Sequence, residues 1–418
     1  MSAPTTVHGS IPSARPPSEA RALSWSSFAT IYLPAMLLAL GTGIALPAIP
    51  VLARSFDVPF GVASGVVTAF LIGGLAGSLP TGWLVDRVGR RPIMIAGPIL
   101  TAVMALLTAM AQSFPELLFY RFVDGWAAQM WLLARLAGIS HNAGAGQRGR
   151  QVSWMYGMDN VGRLSGPLVG GFIAAAFGPR SAFLAYAVLA LLALVPTLRL
   201  QEDAPPRRAS VGDGRAPHLG ISFWNIVIPR LAFFGIAFFS AIARGPIFAD
   251  MLHLYAAFAY DLDAQTIGIL ATAASVTTLP IGFIAGWLMD RFGRKVTMVP
   301  GFSAVTITML MLAGTAFLHL PFSWYVVVFL ATVAAQGLTG GSIQTVGTDV
   351  APPEARGLFL GLWRFTGQVG TSISPIVFAI LADHTGYGSS FIFVATAGLI
   401  TALLLVTLIP ETSKTRVA

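Results

Sequence analysis

Residues Gly82–Arg91 read GWLVDRVGRR, and residues Gly286–Lys295 read GWLMDRFGRK. The second stretch lies 204 positions after the first. Gly82, Trp83, Leu84, Asp86, Arg87, Gly89 and Arg90 meet identical residues at Gly286, Trp287, Leu288, Asp290, Arg291, Gly293 and Arg294. Similarity at a fixed offset marks a duplicated unit. A second register, offset by 208, sets Arg148-Gly149 on Arg356-Gly357, Gly162 on Gly370 and Pro167 on Pro375. The chain of 418 residues is therefore read as two related halves, each with one dense knot of charge.

The surroundings of those knots decide the class. Charged residues make up 10% of the chain and hydrophobic residues 55%, whereas a soluble domain carries roughly 25% charged residues. Breaking the chain at its polar and Gly/Pro-rich points leaves twelve apolar runs, near 27–53, 59–84, 92–112, 117–140, 150–176, 181–199, 222–258, 264–288, 297–318, 322–347, 356–382 and 388–409. Each has about the 20 residues that a membrane helix needs, and their length and continuity exclude a transmembrane barrel. The expected fold is an all-α membrane protein of twelve transmembrane helices in two pseudosymmetric six-helix halves.

Charge then orients the bundle. With the N-terminus inside, seventeen Lys and Arg residues fall in inner segments and two, Arg54 and Arg180, in outer loops. That excess predicts both termini in the cytoplasm and a multi-pass protein of the cell membrane. Residues 1–24 are read as a disordered tail, 25–199 as the N-terminal half, 200–220 as a Pro- and Arg-rich linker, 221–410 as the C-terminal half and 411–418 as a second tail. The net charge of +8 is dispersed over short segments, so nucleic acid is not an expected partner. No cysteine is present and the six histidines lack metal-ligand spacing, so no metal site is expected.

Several stretches together resemble one family. The doubled Gly-x-Leu-x-Asp-Arg-x-Gly-Arg loop resembles the signature loop of the major facilitator superfamily. Ala45-Leu-Pro-Ala-Ile-Pro50 resembles the end of the first span in its drug:proton antiporters, and Arg121-Phe-Val-Asp-Gly125 resembles their span-4 Arg-x-x-Gln-Gly motif. Gly162-Arg-Leu-Ser-Gly-Pro-Leu-Val-Gly-Gly171 resembles their span-5 motif, implying close helix packing at Gly162, Gly166, Pro167, Gly170 and Gly171. Two departures stand out: Asp124 replaces the family's glutamine, and Arg163 occupies a position normally small or apolar. The resemblance also implies that Asp86 latches the cytoplasmic side while the outside is open, with Asp290 a weaker partner. The loop residues Gly82, Asp86, Arg87, Gly89 and Arg90, with Gly286, Asp290, Arg291, Gly293 and Arg294, are accordingly read as a gate.

Ionisable groups at membrane depth are the candidates for chemistry. Arg121 and Asp124 are three apart, and Asp159 and Arg163 four apart, so each pair shares a helix face. Such a pair either neutralises itself for burial or forms a titratable site in which proton and substrate compete for one network. Asp124, Arg121, Asp159, Asp250 and His253 are the proton-coupling candidates. Arg135 and Arg230 are expected to snorkel to the cytoplasmic interface. Arg244, beside a Gly245-Pro246 kink, is the leading substrate contact, because a fixed guanidinium fork suits an anionic group. Arg364, Arg163, Trp126, Tyr156 and Trp363 complete the substrate candidates.

The expected function is proton-coupled secondary transport, export of a small amphipathic or anionic organic compound by alternating access. The alternatives are uptake of an organic anion or sugar with protons, or a non-transporting sensor or scaffold on the same fold. No Gly-x-x-x-x-Gly-Lys-Ser/Thr loop is present, so a proton gradient is the expected energy source. No cofactor and no enzymatic activity are expected, and the chain is expected to act as a monomer among membrane lipids.

Overall fold

The computed structural model describes residues 32–142, 148–198, 231–248, 250–339, 343, 346–347, 350–352 and 356–408. Both tails, the 200–220 linker and Arg230 lie outside the described residues. The described chain is helical throughout, without strands, because a backbone in lipid must satisfy its own N–H and C=O groups.

In the N-terminal half the helices are α1 (Leu33–Ala45), α2 (Ala48–Arg54), α3 (Phe60–Ala63), α4 (Gly65–Val88), α5 (Arg90–Met110), α6 (Phe114–Asn142), α7 (Arg148–Phe177) and α8 (Pro179–Leu198). The C-terminal half has α9 (Leu231–Phe248), α10 (Met251–Ala259), α11 (Ala264–Phe292), α12 (Lys295–Phe317), α13 (Phe322–Thr339), α14 (Arg356–Thr385) and α15 (Tyr387–Leu408). Among the described residues nine helices, counting α1–α2 and α3–α4 as single spans, are long and apolar enough to cross a membrane. A tenth is added if the bent pair α9–α10 is one span. Helices α6 and α7 are 29 and 30 residues long, but charges interrupt their apolar runs.

The duplication is visible in the packing. Helix α6 lies along α4 and α5, α8 along α1 and α5, and α7 along α1. The same pairings recur as α13 on α11 and α12, α15 on α9 and α12, and α14 on α9. Large apolar side chains such as Leu79, Phe177 and Phe283 are about four-fifths exposed, a surface that suits lipid better than water.

The turns repeat as well. Gly89 closes α4 at φ 95°, ψ 166°, and Gly293 closes α11 at φ 97°, ψ 171°, a region that essentially only glycine enters. Asp57 and Asp261, 204 apart, are both left-handed, at φ 52° and 54°. Beside each glycine turn, an arginine covers a tryptophan, Arg87 over Trp83 at 4.9 Å and Arg291 over Trp287 at 5.6 Å. Arg91 donates to the Leu198 carbonyl at the end of α8, and Lys295 to the Val406 carbonyl near the end of α15. These cations complement the negative C-terminal ends of the last helix in each half.

The two halves meet on the face opposite the signature loops. There Arg54 pairs with Asp261 and donates to the Ala257 carbonyl. The Gly61 amide donates to Asp383 Oδ1 at 2.8 Å. Phe60 packs edge-on against Phe258 and Tyr387 of the other half. Gly171 of α7 and Gly268 of α11 bring their backbones into direct contact, so that a Cβ at either would clash.

Candidate functional site

A cavity of about 400 Å³ lies between the halves. Its N-terminal wall includes Thr42, Phe70, Arg121, Asn160 and Arg163; its C-terminal wall includes Asp250, His253, Ser275, Phe329 and Gln336. Helices α1 and α7 approach closely enough to hold this wall rigid. A Cβ on Gly166 would stand 2.6 Å from Gly43 Cα, one on Gly170 2.1 Å from the Ile44 carbonyl oxygen, and one on Gly162 2.6 Å from the Met36 carbonyl oxygen. Pro167 lines the cavity beside them.

Arg121 and Asp124 form a buried ion pair on α6, Nη1 to Oδ2 at 2.7 Å. Arg121 also lies over the Phe70 ring at 4.6 Å, a cation–π contact strengthened by the dry surroundings. Arg121 faces the cavity, whereas Asp124 sits behind it, only 2% exposed. Oδ1 of Asp124 makes no hydrogen bond of ordinary geometry. The Tyr186 side chain of α8 is buried close by. Tyr186 is 3% exposed, and its ring occupies the space that a side chain at Gly41 would take. Its hydroxyl is 3.3 Å from Thr42 Oγ1, which also donates to the Leu38 carbonyl at 3.0 Å.

The second pair differs from the expectation. Asp159 does not pair with Arg163; it takes both guanidinium nitrogens of Arg135 across the α6–α7 interface, each at 3.2 Å. Arg135 therefore does not extend into solvent; it is 4% exposed and stacked on Trp131 at 5.1 Å. A two-bond fork between helices outcompetes a single-helix contact at i, i+4. Arg163 is left exposed on the cavity wall, with no hydrogen-bond or ion-pair partner among the described residues.

On the facing wall, Asp250 adopts the left-handed conformation, φ 54°, at the start of α10. Its Oδ1 is 3.5 Å from His253 Nδ1, an ion-pair distance without hydrogen-bond geometry. His253 is buried and edge-on to Phe329. The expected kink at Gly245-Pro246 is displaced: α9 runs through Pro246 to Phe248, and a bend of 41° separates it from α10. The reason is local. Proline leaves the carbonyl four residues earlier without a donor, and Ser374 Oγ supplies one to the Ile242 carbonyl at 2.8 Å. Gly245 permits the approach, since a Cβ there would lie 2.6 Å from Ser374 Cβ.

Of the other substrate candidates, four stand off the cavity. Arg244 is half-buried in the C-terminal half and Arg364 is exposed, and neither lines the cavity. Trp363 is core, stacked on Phe359 and packed against Phe234. Trp126 fills the space over Gly77. The side chains of Tyr156 and Asp290 lie outside the described residues. Asp86 is exposed and has no hydrogen-bond or ion-pair partner among the described residues. Thr42, Tyr186, Asn160, Phe329 and Gln336 were not singled out from the sequence. A phenol in the apolar run of α8 was the available signal, because a buried Tyr hydroxyl requires a partner.

Comparison with known proteins agrees with this architecture. The model of the family described as Major Facilitator Superfamily matches residues 31–357 and, overlapping them, 233–418. The class B tetracycline resistance protein of Escherichia coli is 24% identical over 362 residues, covering 84% of this chain and 87% of that protein. The multidrug resistance protein MdtG of Enterobacter lignolyticus is 26% identical, covering 91% and 92%. A crystal structure of a D-xylose–proton symporter superposes with a TM-score of 0.75 at 18% identity, covering 94% of this chain and 99% of that one. At that identity the likeness is one of fold.

Proposed function

Because the chain belongs to the Major Facilitator Superfamily, whose members are transporters and not enzymes, we propose that it is a proton-coupled transporter of a small amphipathic organic anion. The observation that carries this reading is Arg163. A fixed cation on the cavity wall with no partner among the described residues is poised for a carboxylate, phosphate or sulfate group. Phe70 and Phe329 on opposite walls supply apolar surface for the rest of the molecule.

Arg121–Asp124 is the proton site of this reading. Either the ionised carboxylate or the anion holds Arg121, so protonation of Asp124 frees Arg121 for the anion. That linkage is positive and reciprocal, and it carries proton and anion in the same direction. The contacts at Arg54–Asp261, Gly61–Asp383 and Gly171–Gly268 close one face. With the signature loops in the cytosol, as the positive-inside bias supports, this is a state closed to the outside. Asp86, without a partner among the described residues, then corresponds to an undone cytoplasmic latch. Transport follows when the halves rock to exchange which face is closed.

The test is flux in proteoliposomes. A library of organic anions and cations is screened by thermal stabilisation of the purified protein, and the stabilising compounds are then offered under an imposed pH gradient. The expected result is gradient-driven accumulation of anions that is lost in Arg163→Ala. Accumulation of lipophilic cations alone would overturn the substrate class, and no pH-driven flux of any stabilising compound would overturn proton coupling.

A further inference from the structure

The two walls of the cavity offer a ligand opposite chemistry. On the N-terminal wall, the Arg163 guanidinium can only donate, and it has no partner among the described residues. On the C-terminal wall, Ser275 and Thr278 of α11 line the cavity together with Gln336 of α13. Ser275 Oγ donates to the Ala271 carbonyl at 3.0 Å, and Thr278 Oγ1 donates to the Ala274 carbonyl at 2.8 Å. Their hydrogens are committed, so each hydroxyl offers a ligand its oxygen lone pairs. Gln336 is 6% exposed, and its Oε1 accepts no hydrogen bond among the described residues. A buried acceptor left in this condition costs free energy until a donor reaches it. The three residues are neighbours. Ser275 and Thr278 share a face of α11, and a Cβ on Gly337, next to Gln336, would stand 3.3 Å from the Thr278 carbonyl oxygen. At the equivalent positions of the N-terminal half, 204 earlier, stand Leu71, Gly74 and Leu132. The patch is therefore particular to one half and is not part of the duplicated frame. The carboxylate of Asp250, on the same wall, already has His253 at ion-pair distance.

Resting on the anion site proposed at Arg163, we infer that Ser275, Thr278 and Gln336 select an organic anion that also carries a neutral hydrogen-bond donor, a hydroxyl or an amide N–H. The acid group meets Arg163 on one wall and the donor meets the three oxygens on the other. An ether or ester oxygen placed there would have to pull the Ser275 and Thr278 hydrogens off their backbone carbonyls, and it would leave Gln336 Oε1 unpaired. A donor enters the patch without displacing any bond. The patch thereby acts as a specificity element. A site built to pair a substrate O–H or N–H rejects the analogue that lacks it more strongly than an apolar pocket discriminates by size.

The experiment is calorimetric binding to the full-length purified protein. The probes are matched sets of aromatic and aliphatic carboxylates: each hydroxy acid with its methyl ether and its deoxy parent, and each N–H amide with its N-methyl form. In at least one kind of set, the member with the free donor is expected to bind about tenfold or more tightly than its capped partner. That ratio should fall to within about twofold in Gln336→Leu, in the double variant Ser275→Ala, Thr278→Val, or in both. Thr278→Ser, which keeps the hydroxyl, should preserve it. A variant that merely loosens the fold weakens every member alike and leaves the ratio unchanged. Capped compounds that bind as tightly as their parents in both kinds of set would overturn the inference. So would a ratio that persists in both the Gln336 variant and the double variant. The anion site is checked separately in Arg163→Ala. If no carboxylate binds, or if binding does not depend on Arg163, that site fails and the selection argued from it falls too; loss of the donor ratio with Arg163 dependence intact removes this inference alone.

Discussion

The two halves share a backbone plan but not a chemistry. Arg121 and Asp124 on α6 correspond, by the 204 offset, to Tyr325 and Val328 on α13. Where the N-terminal half buries an ion pair, the C-terminal half buries an aromatic stack: Tyr325 lies on Phe329 with centroids 5.6 Å apart and donates to the Leu252 carbonyl at 2.8 Å. Leu46, between α1 and α2, corresponds to Asp250, between α9 and α10. Leu46 keeps right-handed helical angles, whereas Asp250 is left-handed. One half thus carries the polar network and the other a packed core with a single break in the equivalent of its first span. Duplication supplies a pseudosymmetric frame, and at these positions the two halves have filled it with different side chains.

The comparison can be broken most severely at Asp124. Asp124→Asn should lower gradient-driven flux by about 100-fold or more while leaving exchange in the absence of a gradient measurable. Tyr325→Phe, at the position equivalent to Arg121, should leave coupling intact. Proton movement per substrate in proteoliposomes distinguishes the two.

The next effect is on stability. Asp159→Leu strands Arg135 in a buried site and should cost about 3 kcal/mol, read as a fall in thermal unfolding midpoint. The double variant Arg135→Met, Asp159→Leu should recover most of it, since replacing both partners removes the stranded charge. Failure of the double variant to recover would show that the pair does more than neutralise itself.

A smaller effect tests the shared frame. Gly89→Ala and Gly293→Ala place a side chain in the same forbidden conformation, so each should cost about 1–3 kcal/mol, and by nearly the same amount. A marked difference between them would mean that the two signature loops are not equivalent supports. The smallest effect is at the closed face. Arg54→Ala removes an ion pair whose Asp261 carboxylate is 88% exposed, worth about 0–1 kcal/mol. It should still shift the balance of states. The chain has no cysteine, so a single Ser275→Cys in the cavity reports which side a membrane-impermeant thiol reagent enters from. Arg54→Ala should raise labelling from the outside by up to about fivefold.

Much of this was legible beforehand, for definite reasons. Apolar runs of membrane length imply helices because lipid offers no alternative, and the loop repeat implies two halves because glycines at Gly89 and Gly293 answer to the same backbone requirement. The pairing of Arg121 with Asp124 was readable too, since i, i+3 spacing places both on one face of one helix. Asp159 was misread for the complementary reason. Its partner, Arg135, is 24 positions away on another helix, and spacing along one helix says nothing of what the neighbouring helix presents. The kink at Pro246 was misplaced because Ser374, 132 positions from Ile242, supplies the hydrogen bond that the Ile242 carbonyl lacks.

By itself, then, the sequence determined the membrane class, the duplicated frame, the turns that glycine must make and the short list of charges that lipid would not tolerate without cause. Each of these follows from local backbone geometry or from transfer out of water. Tertiary structure alone decided which charges pair, which face the cavity and which are core. Thr42 and Tyr186 are 144 positions apart and meet only because α1 and α8 pack together. Helix packing is a property of two surfaces at once, and no single run of residues contains it.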